Sequence, residues 1–265
     1  MSNLLIDTHT HIADPEFDKD REEVIERALA AGIYRMILIG TSLPSSQRAV
    51  ALAEKYPFLW AAIGLHPHDA KDLNDDLLNV FEQLADHPKV VAIGETGLDY
   101  FYNHSPTEVQ KGAFIEQIRL AKRKQLPLVV HTRDAWKDTF DLLKNEDVRE
   151  YAESIGAVFH CFTGDKAVAE EGIGFGFHIS FSGIVTFPKA TPVQEAAACI
   201  PLEKILIETD APYLAPQGKR GKRNEPAFVS ATAEKLAQLR NCPLADISKA
   251  TRDNANRLFK LPGSE

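Results

Sequence analysis

Short apolar runs recur along the whole chain, separated by longer segments with helical spacing. The runs cover residues 4–7, 36–40, 59–64, 90–94, 128–131, 157–160, 178–181 and 205–208. Each is nearly continuous in apolar or β-branched residues, as expected of parallel strands buried on both faces. Helices are predicted over 21–31, 44–56, 77–85, 109–124, 136–153, 166–171, 193–199, 228–239 and 247–261. In the first, Val24, Ala28 and Ala31 share one face. Pro106-Thr107-Glu108 reads as a helix start with acidic charge in its first turn, and Pro127 stops the chain from staying helical before the fifth strand.

Eight strands alternating with helices predict an α/β fold, a (β/α)8 TIM barrel, as a single domain over 1–265. The alternative, an open doubly wound sheet, usually has fewer strands and often a glycine-rich turn after the first. None follows Asp7. Gly172, Gly174 and Gly176 lie after a helix and before a strand, the wrong order for cradling a phosphate, and are read as a flexible loop. No repeat, low-complexity tract or linker divides the chain.

Composition narrows the picture. A hydrophobic content of 44% over 265 residues supports a sizeable core. No apolar run approaches the roughly 18 residues needed to cross a membrane, and the segment from Met1 to Ile6 lacks the features of a signal peptide. Cys161, Cys199 and Cys242 are far apart, so a reducing, cytoplasmic setting is expected. No obligate protein partner is evident. The net charge of −8 would repel a polyanion in bulk. A nucleic-acid substrate would therefore need a local basic site. Lys219, Arg220, Lys222 and Arg223 offer one, with a solvated loop as the plain alternative.

In a barrel of this kind, chemistry sits at the C-terminal ends of the strands. Five of the nine histidines fall there: His9, His11, His66, His131 and His160. Glu95 follows the fourth strand and Asp210 the eighth. So many polar groups at one mouth would be hard to bury without a purpose. His9 and His11 are two apart on a strand and share a face, a spacing that suits a metal. His131, His160, Glu95 and Asp210 extend the set to one that could hold one or two divalent ions, with Glu95 between them. Zinc, manganese and magnesium are all possible, and imidazoles favour the first two. Alternation along the strand turns Cys161 away from His160, toward the back of the barrel wall. Glu208 shares a face with Asp210 one layer deeper. It could orient a ligand histidine or hold Arg133 in an ion pair. No serine nucleophile elbow or phosphate loop is present, which leaves metal-activated water as the best nucleophile.

These motifs, in this order, resemble the TatD family of metal-dependent deoxyribonucleases. The matching pieces are Asp7-Thr8-His9-Thr10-His11, Gly64-Leu65-His66-Pro67, Gly94-Glu95-Thr96-Gly97-Leu98-Asp99-Tyr100, His131-Thr132-Arg133, His160-Cys161-Phe162-Thr163-Gly164, Ser180-Phe181-Ser182-Gly183, Glu208-Thr209-Asp210-Ala211-Pro212-Tyr213-Leu214 and Arg223-Asn224-Glu225-Pro226. The resemblance implies an amidohydrolase-like barrel whose metal ligands are His9, His11, Glu95, His131, His160 and Asp210. It also implies magnesium-dependent hydrolysis of DNA, often exonucleolytic from the 3′ end. On this reading Asp210, with Glu95, is catalytic and accepts the proton of the attacking water. His66, Arg133 and Arg223 contact a single-stranded or 3′-terminal DNA substrate, and Arg223 is the preferred phosphate contact. Two rivals stand beside it. One is a small-molecule amidohydrolase or lactonase, many of which carry a bridging lysine where this chain has Glu95. The other is a metal-binding interaction barrel, which would be expected to have lost ligands.

Overall fold

Each apolar run forms a parallel strand. In the computed structural model, which describes residues 4–262, they are β1 (Leu5–Thr10), β2 (Ile33–Ile39), β3 (Leu59–Ile63), β4 (Val90–Asp99), β5 (Leu128–Arg133), β6 (Ala157–Phe159), β7 (His178–Phe181) and β8 (Ile205–Ile207). The expected domain span and the N-terminal segment from Met1 reach into residues 1–3 and 263–265, which lie outside the described ones. Strand order follows chain order from β1 to β8. The ring closes where the chain leaving β8 meets β1: the Asp210 amide donates to the His9 carbonyl (2.9 Å) and the His11 amide to the Ala211 carbonyl (2.8 Å).

Helices α1 (Arg21–Ala30), α2 (Leu43–Lys55), α3 (Asp75–Leu84), α4 (Thr107–Lys124), α5 (Trp136–Asn145), α6 (Val148–Ser154), α7 (Lys166–Gly174), α8 (Thr191–Cys199), α9 (Val229–Arg240) and α10 (Leu244–Leu258) follow the strands. Inside the barrel, Ile6, Ile39, Val91, Val129, Val158 and Leu206 share one apolar cluster with Leu258 and Phe259. The end of α10 therefore plugs the barrel at the N-terminal ends of its strands. No helix among the described residues is long and apolar enough to cross a membrane.

Two local expectations are corrected. The helix predicted over 136–153 is two helices, broken where Asp147 adopts a left-handed conformation at φ 47°. Aspartate tolerates that conformation better than most residues, and Lys122 from α4 donates to the carbonyls of Glu146 and Asp147. Gly172 and Gly174 are not loop residues but belong to α7. A Cβ on Gly172 would come within 2.9 Å of the Phe159 ring, so glycine there lets α7 lie close against β6. Only Gly176, at φ 89°, turns the chain.

Candidate metal centre at the barrel mouth

Backbone and side-chain bonds around the β1–β8 seam set the site. Buried Asp7 accepts from the Thr209 amide (2.9 Å) and from its hydroxyl (2.5 Å), which fastens the end of β8 to β1. Burial pushes the Asp7 carboxyl up to about 8, against the lowering effect of those Thr209 bonds. Together with the seam bonds, this holds His9, His11 and Asp210 in one register. Across the mouth, Gly94 and Gly97, both at φ 139°, bend β4 so that Glu95 reaches the centre.

Glu95 is 4% exposed and its two oxygens face different partners. Its Oε2 lies 3.3 Å from His9 Nε2 and 3.9 Å from His11 Nε2. Asp210 Oδ1 completes that side, 3.5 Å from His9 Nε2 and 3.3 Å from His11 Nε2. The Oε1 of Glu95 lies 2.7 Å from His160 Nε2, 2.9 Å from His131 Nδ1 and 3.5 Å from His66 Nε2. The six expected ligand residues thus come together from five strands or their ends. His66 joins the second group, closer to the centre than its expected place as a substrate contact.

Several features suit a cation rather than a closed hydrogen-bond network. Both ring nitrogens of fully buried His9 lack a hydrogen-bond partner, although Nε2 is near two carboxylates. His131 Nδ1 and His160 Nε2 stand 3.3 Å apart, two ring nitrogens aimed into the same space. His9, His11 and Glu95 form one cluster able to hold an ion, and His66, Glu95 and His131 form another. Nitrogen and carboxylate donors without thiolate are the chemistry expected of a divalent metal. The residues fit one or two such ions.

The carboxylates and imidazoles of the centre shift one another. Burial opposes charge on Glu95, but the surrounding imidazoles outweigh it and hold its carboxyl well below the ordinary range. Asp210 is likewise lowered despite burial, by His11 and His9. Burial pushes His66 down to about 4, which favours the neutral imidazole that can ligate.

The supporting residues divide into those expected and those missed. Glu208 accepts from the Cys161 amide (2.6 Å) and the Ser180 hydroxyl (2.5 Å), and lies 3.4 Å from His160 Nδ1. It orients His160 and does not pair with Arg133. Asp99 was not singled out from the sequence. It is 1% exposed and bridges His131 Nε2 (3.1 Å) and His68 Nε2 (3.2 Å). Its position four residues past Glu95, within the Gly94–Tyr100 motif, was the available signal.

Two expectations differ from the geometry. Cys161 is not behind the barrel wall: it lines the mouth, its Sγ 3.4 Å from the Ser182 hydroxyl. Strand alternation fails because β6 ends at Phe159 and Cys161 takes φ 44°. Burial lifts its thiol well above the ordinary value and so disfavours the thiolate. Arg223 does not line the mouth cavity. Its guanidinium pairs with Asp20, donates to the Glu16 carbonyl (2.9 Å) and covers the Phe17 ring. Lys219, Arg220 and Lys222 are exposed on the same loop. The neighbouring Asn224 carries the structural load of that motif: buried, it donates to the carbonyls of Thr209 (2.8 Å) and Tyr213 (2.6 Å) and ties down the loop after β8.

The cavity above this centre has a volume of about 830 Å³ and includes Arg133, Phe101, Tyr102 and Tyr213 in its lining. That size is within the range of small-molecule and cofactor sites. The family model for TatD-related DNase matches residues 6–260. The chain belongs to the TatD family. Among relatives, a Bacillus subtilis protein named as an uncharacterized metal-dependent hydrolase, YabD, is 45% identical over 97% of this chain and 100% of its own length. The 3′-5′ ssDNA/RNA exonuclease TatD of Escherichia fergusonii is 37% identical over 97% of this chain and 99% of its own. The crystal structure of YjjV, a TatD homologue from Escherichia coli K12, superposes with a TM-score of 0.91 at 35% identity, covering 97% of this chain and 98% of that one. The match extends across this TatD-family barrel from β1 to α10, so it covers every residue of the centre.

Proposed function

We propose that this TatD-family protein is a metal-dependent hydrolase of phosphodiester bonds, a 3′–5′ exonuclease acting on single-stranded DNA. The carrying observation is Glu95, whose two oxygens face two separate groups of buried donors. The Escherichia fergusonii relative, named as a 3′-5′ ssDNA/RNA exonuclease, supports the substrate; the Bacillus subtilis relative, more similar in sequence, supports metal-dependent hydrolysis alone.

His9, His11, Glu95 and Asp210 would hold one divalent ion, and His131 and His160, with the other oxygen of Glu95, a second. Magnesium, manganese and zinc are the ions proposed, with magnesium for activity. A divalent ion bound there supplies two effects: it lowers the pKa of water and offsets charge building on the phosphate oxygens. Asp210, kept as a carboxylate at the rim, accepts the proton of the attacking water on an oxygen. His66, held neutral, presents a ring nitrogen to the phosphate group or to an ion. Arg133, two residues beyond His131 and on the same strand face, reaches a phosphate from the wall. Arg223 reaches one only by leaving Asp20. Glu208 holds His160 from behind.

The deciding experiment follows release of label from 3′- and 5′-end-labelled single strands, with Mg²⁺, Mn²⁺ or Zn²⁺ added to metal-stripped protein. Early release of the 3′ label is expected, with a loss of about 10²–10⁴-fold in Asp210→Ala. Failure of folded, metal-loaded protein to cleave any strand overturns the reading and points to a small-molecule substrate.

A further inference from the structure

Five large hydrophobic side chains among the described residues are exposed: Leu29, Phe101, Tyr102, Val109 and Tyr213. The three aromatic ones all line the mouth cavity. Phe101 is 56% and Tyr102 52% exposed. Exposed aromatic rings gathered at one mouth point to a ligand rather than to packing. Tyr213 stands beside His11, on the β1–β8 side. Phe101 and Tyr102 stand on the opposite side of the barrel, where they form a structure with Arg133.

The Arg133 guanidinium lies 4.0 Å from the Phe101 ring centre and 4.9 Å from that of Tyr102. The two rings meet edge to face, 4.9 Å apart. Among the described residues no carboxylate or hydrogen-bond acceptor engages the guanidinium, so the rings are its partners and its donors stay free. The loop carrying the rings is fixed in advance. The Tyr102 amide donates to Asp99 (2.9 Å), and fully buried Gln110 donates to the carbonyls of Asp99 (3.1 Å) and Ser105 (2.8 Å). Arg133 pairs across β4–β5 with Asp99, the residue that bridges His131 and His68. The stack therefore begins directly beside the candidate metal centre.

Resting on the nuclease reading above, we propose that Phe101, Tyr102 and Arg133 form a stacking shelf for an unpaired nucleobase next to the cleaved bond. Aromatic rings and guanidinium planes both stack on bases, and every base has a face to offer. The free donors of Arg133 engage the adjoining phosphate. A base inside a duplex has both faces covered, so the shelf selects a single strand or a frayed end without reading its sequence.

Phe101 and Tyr102 are exposed enough to be replaced without disturbing the core. Steady-state cleavage of 3′-labelled oligothymidylate by metal-loaded protein tests the shelf, with anisotropy of the same strand as the binding readout. Phe101→Ala and Tyr102→Ala are each expected to raise KM and weaken binding about 10-fold, with kcat little changed. Phe101→Trp should restore both. One abasic residue near the 3′ end should weaken wild-type binding by a similar factor and leave Phe101→Ala unaffected. An abasic penalty equal in wild type and Phe101→Ala, or unchanged KM in both alanine variants, overturns the shelf while leaving the nuclease intact. No cleavage of any strand by the wild type overturns both.

Discussion

The residue with most leverage for its size is Asp99. One carboxylate oxygen holds two imidazoles, and the other caps the Tyr102 amide. Burial alone would raise its pKa, but His131 and the Tyr102 amide more than compensate, so the carboxyl is held low. A carboxylate behind a ligand histidine fixes its tautomer and strengthens its donor nitrogen. Asp99→Asn keeps the shape and an acceptor for Tyr102 but loses the charge. Metal affinity is expected to fall about 10–100-fold, read by titration against a competing chelator, with the thermal stability of the metal-free protein nearly unchanged. Equal affinity in both proteins would make Asp99 a loop anchor only. That His9, His11, Glu95, His131, His160 and Asp210 converge was legible because each lies at or just beyond the end of an apolar run, and barrel ends converge. Cys161 and Arg223 were not. The first depends on a φ that no alternation rule foresees, and the second on Asp20, a partner 203 residues away in sequence.

At the scale of elements, β4 shows why the rest was hidden. Its apolar run stops at Gly94, yet the strand continues to Asp99, with a shift of register against β5 between Ile93 and Thr96. That irregularity, which contains Gly94 and is followed by Gly97, both with positive φ, brings Glu95 to the centre and Asp99 to its edge. A Cβ on Gly97 would come within 1.9 Å of the His131 carbonyl oxygen. Gly97→Ala must therefore push β5 away while also adopting an unfavourable φ. A loss of at least about 2 kcal/mol is expected, with weaker metal binding because His131 moves. Gly112, exposed within α4 and with nothing within 4 Å of an added Cβ, is the control. Gly112→Ala should stabilise by about 0.5–1 kcal/mol through helix propensity. Denaturant unfolding of the two variants separates the cases. A Gly97→Ala protein as stable as its parent would mean that β4 relaxes freely. The same comparison explains the α7 glycines: sequence marks them as breakers, whereas contact with Phe159 makes one of them a spacer.

For the molecule as a whole, the proposed ions would also be a structural clasp. Their ligands come from β1, β4, β5 and the chain leaving β6 and β8, so binding would tie together both sides of the mouth and the seam where the barrel closes. The opposite end needs no such help, because α10 fills it with Leu258 and Phe259. Without an ion, two carboxylates and several imidazoles remain buried around His9, whose nitrogens have no partner. Buried polar groups left unsatisfied weaken a fold, and a ligand that binds only the native state strengthens it. At an ion concentration about 100 times Kd the gain is about 2.7 kcal/mol. For a chain of this size that corresponds to a rise in Tm of roughly 5–10 °C. Calorimetry of chelator-stripped protein, titrated with Mn²⁺ or Zn²⁺, should show Tm climbing with the logarithm of concentration. Asp210→Ala, which leaves one side of the centre short of a ligand, should show a smaller rise. Identical melting with and without metal, in protein shown by elemental analysis to have lost and regained the ion, would mean that the mouth is preorganised by the Asp7–Thr209 staple and the seam hydrogen bonds alone. The ion would then act only on substrate, and the cluster around Glu95 would be a finished scaffold before it arrives.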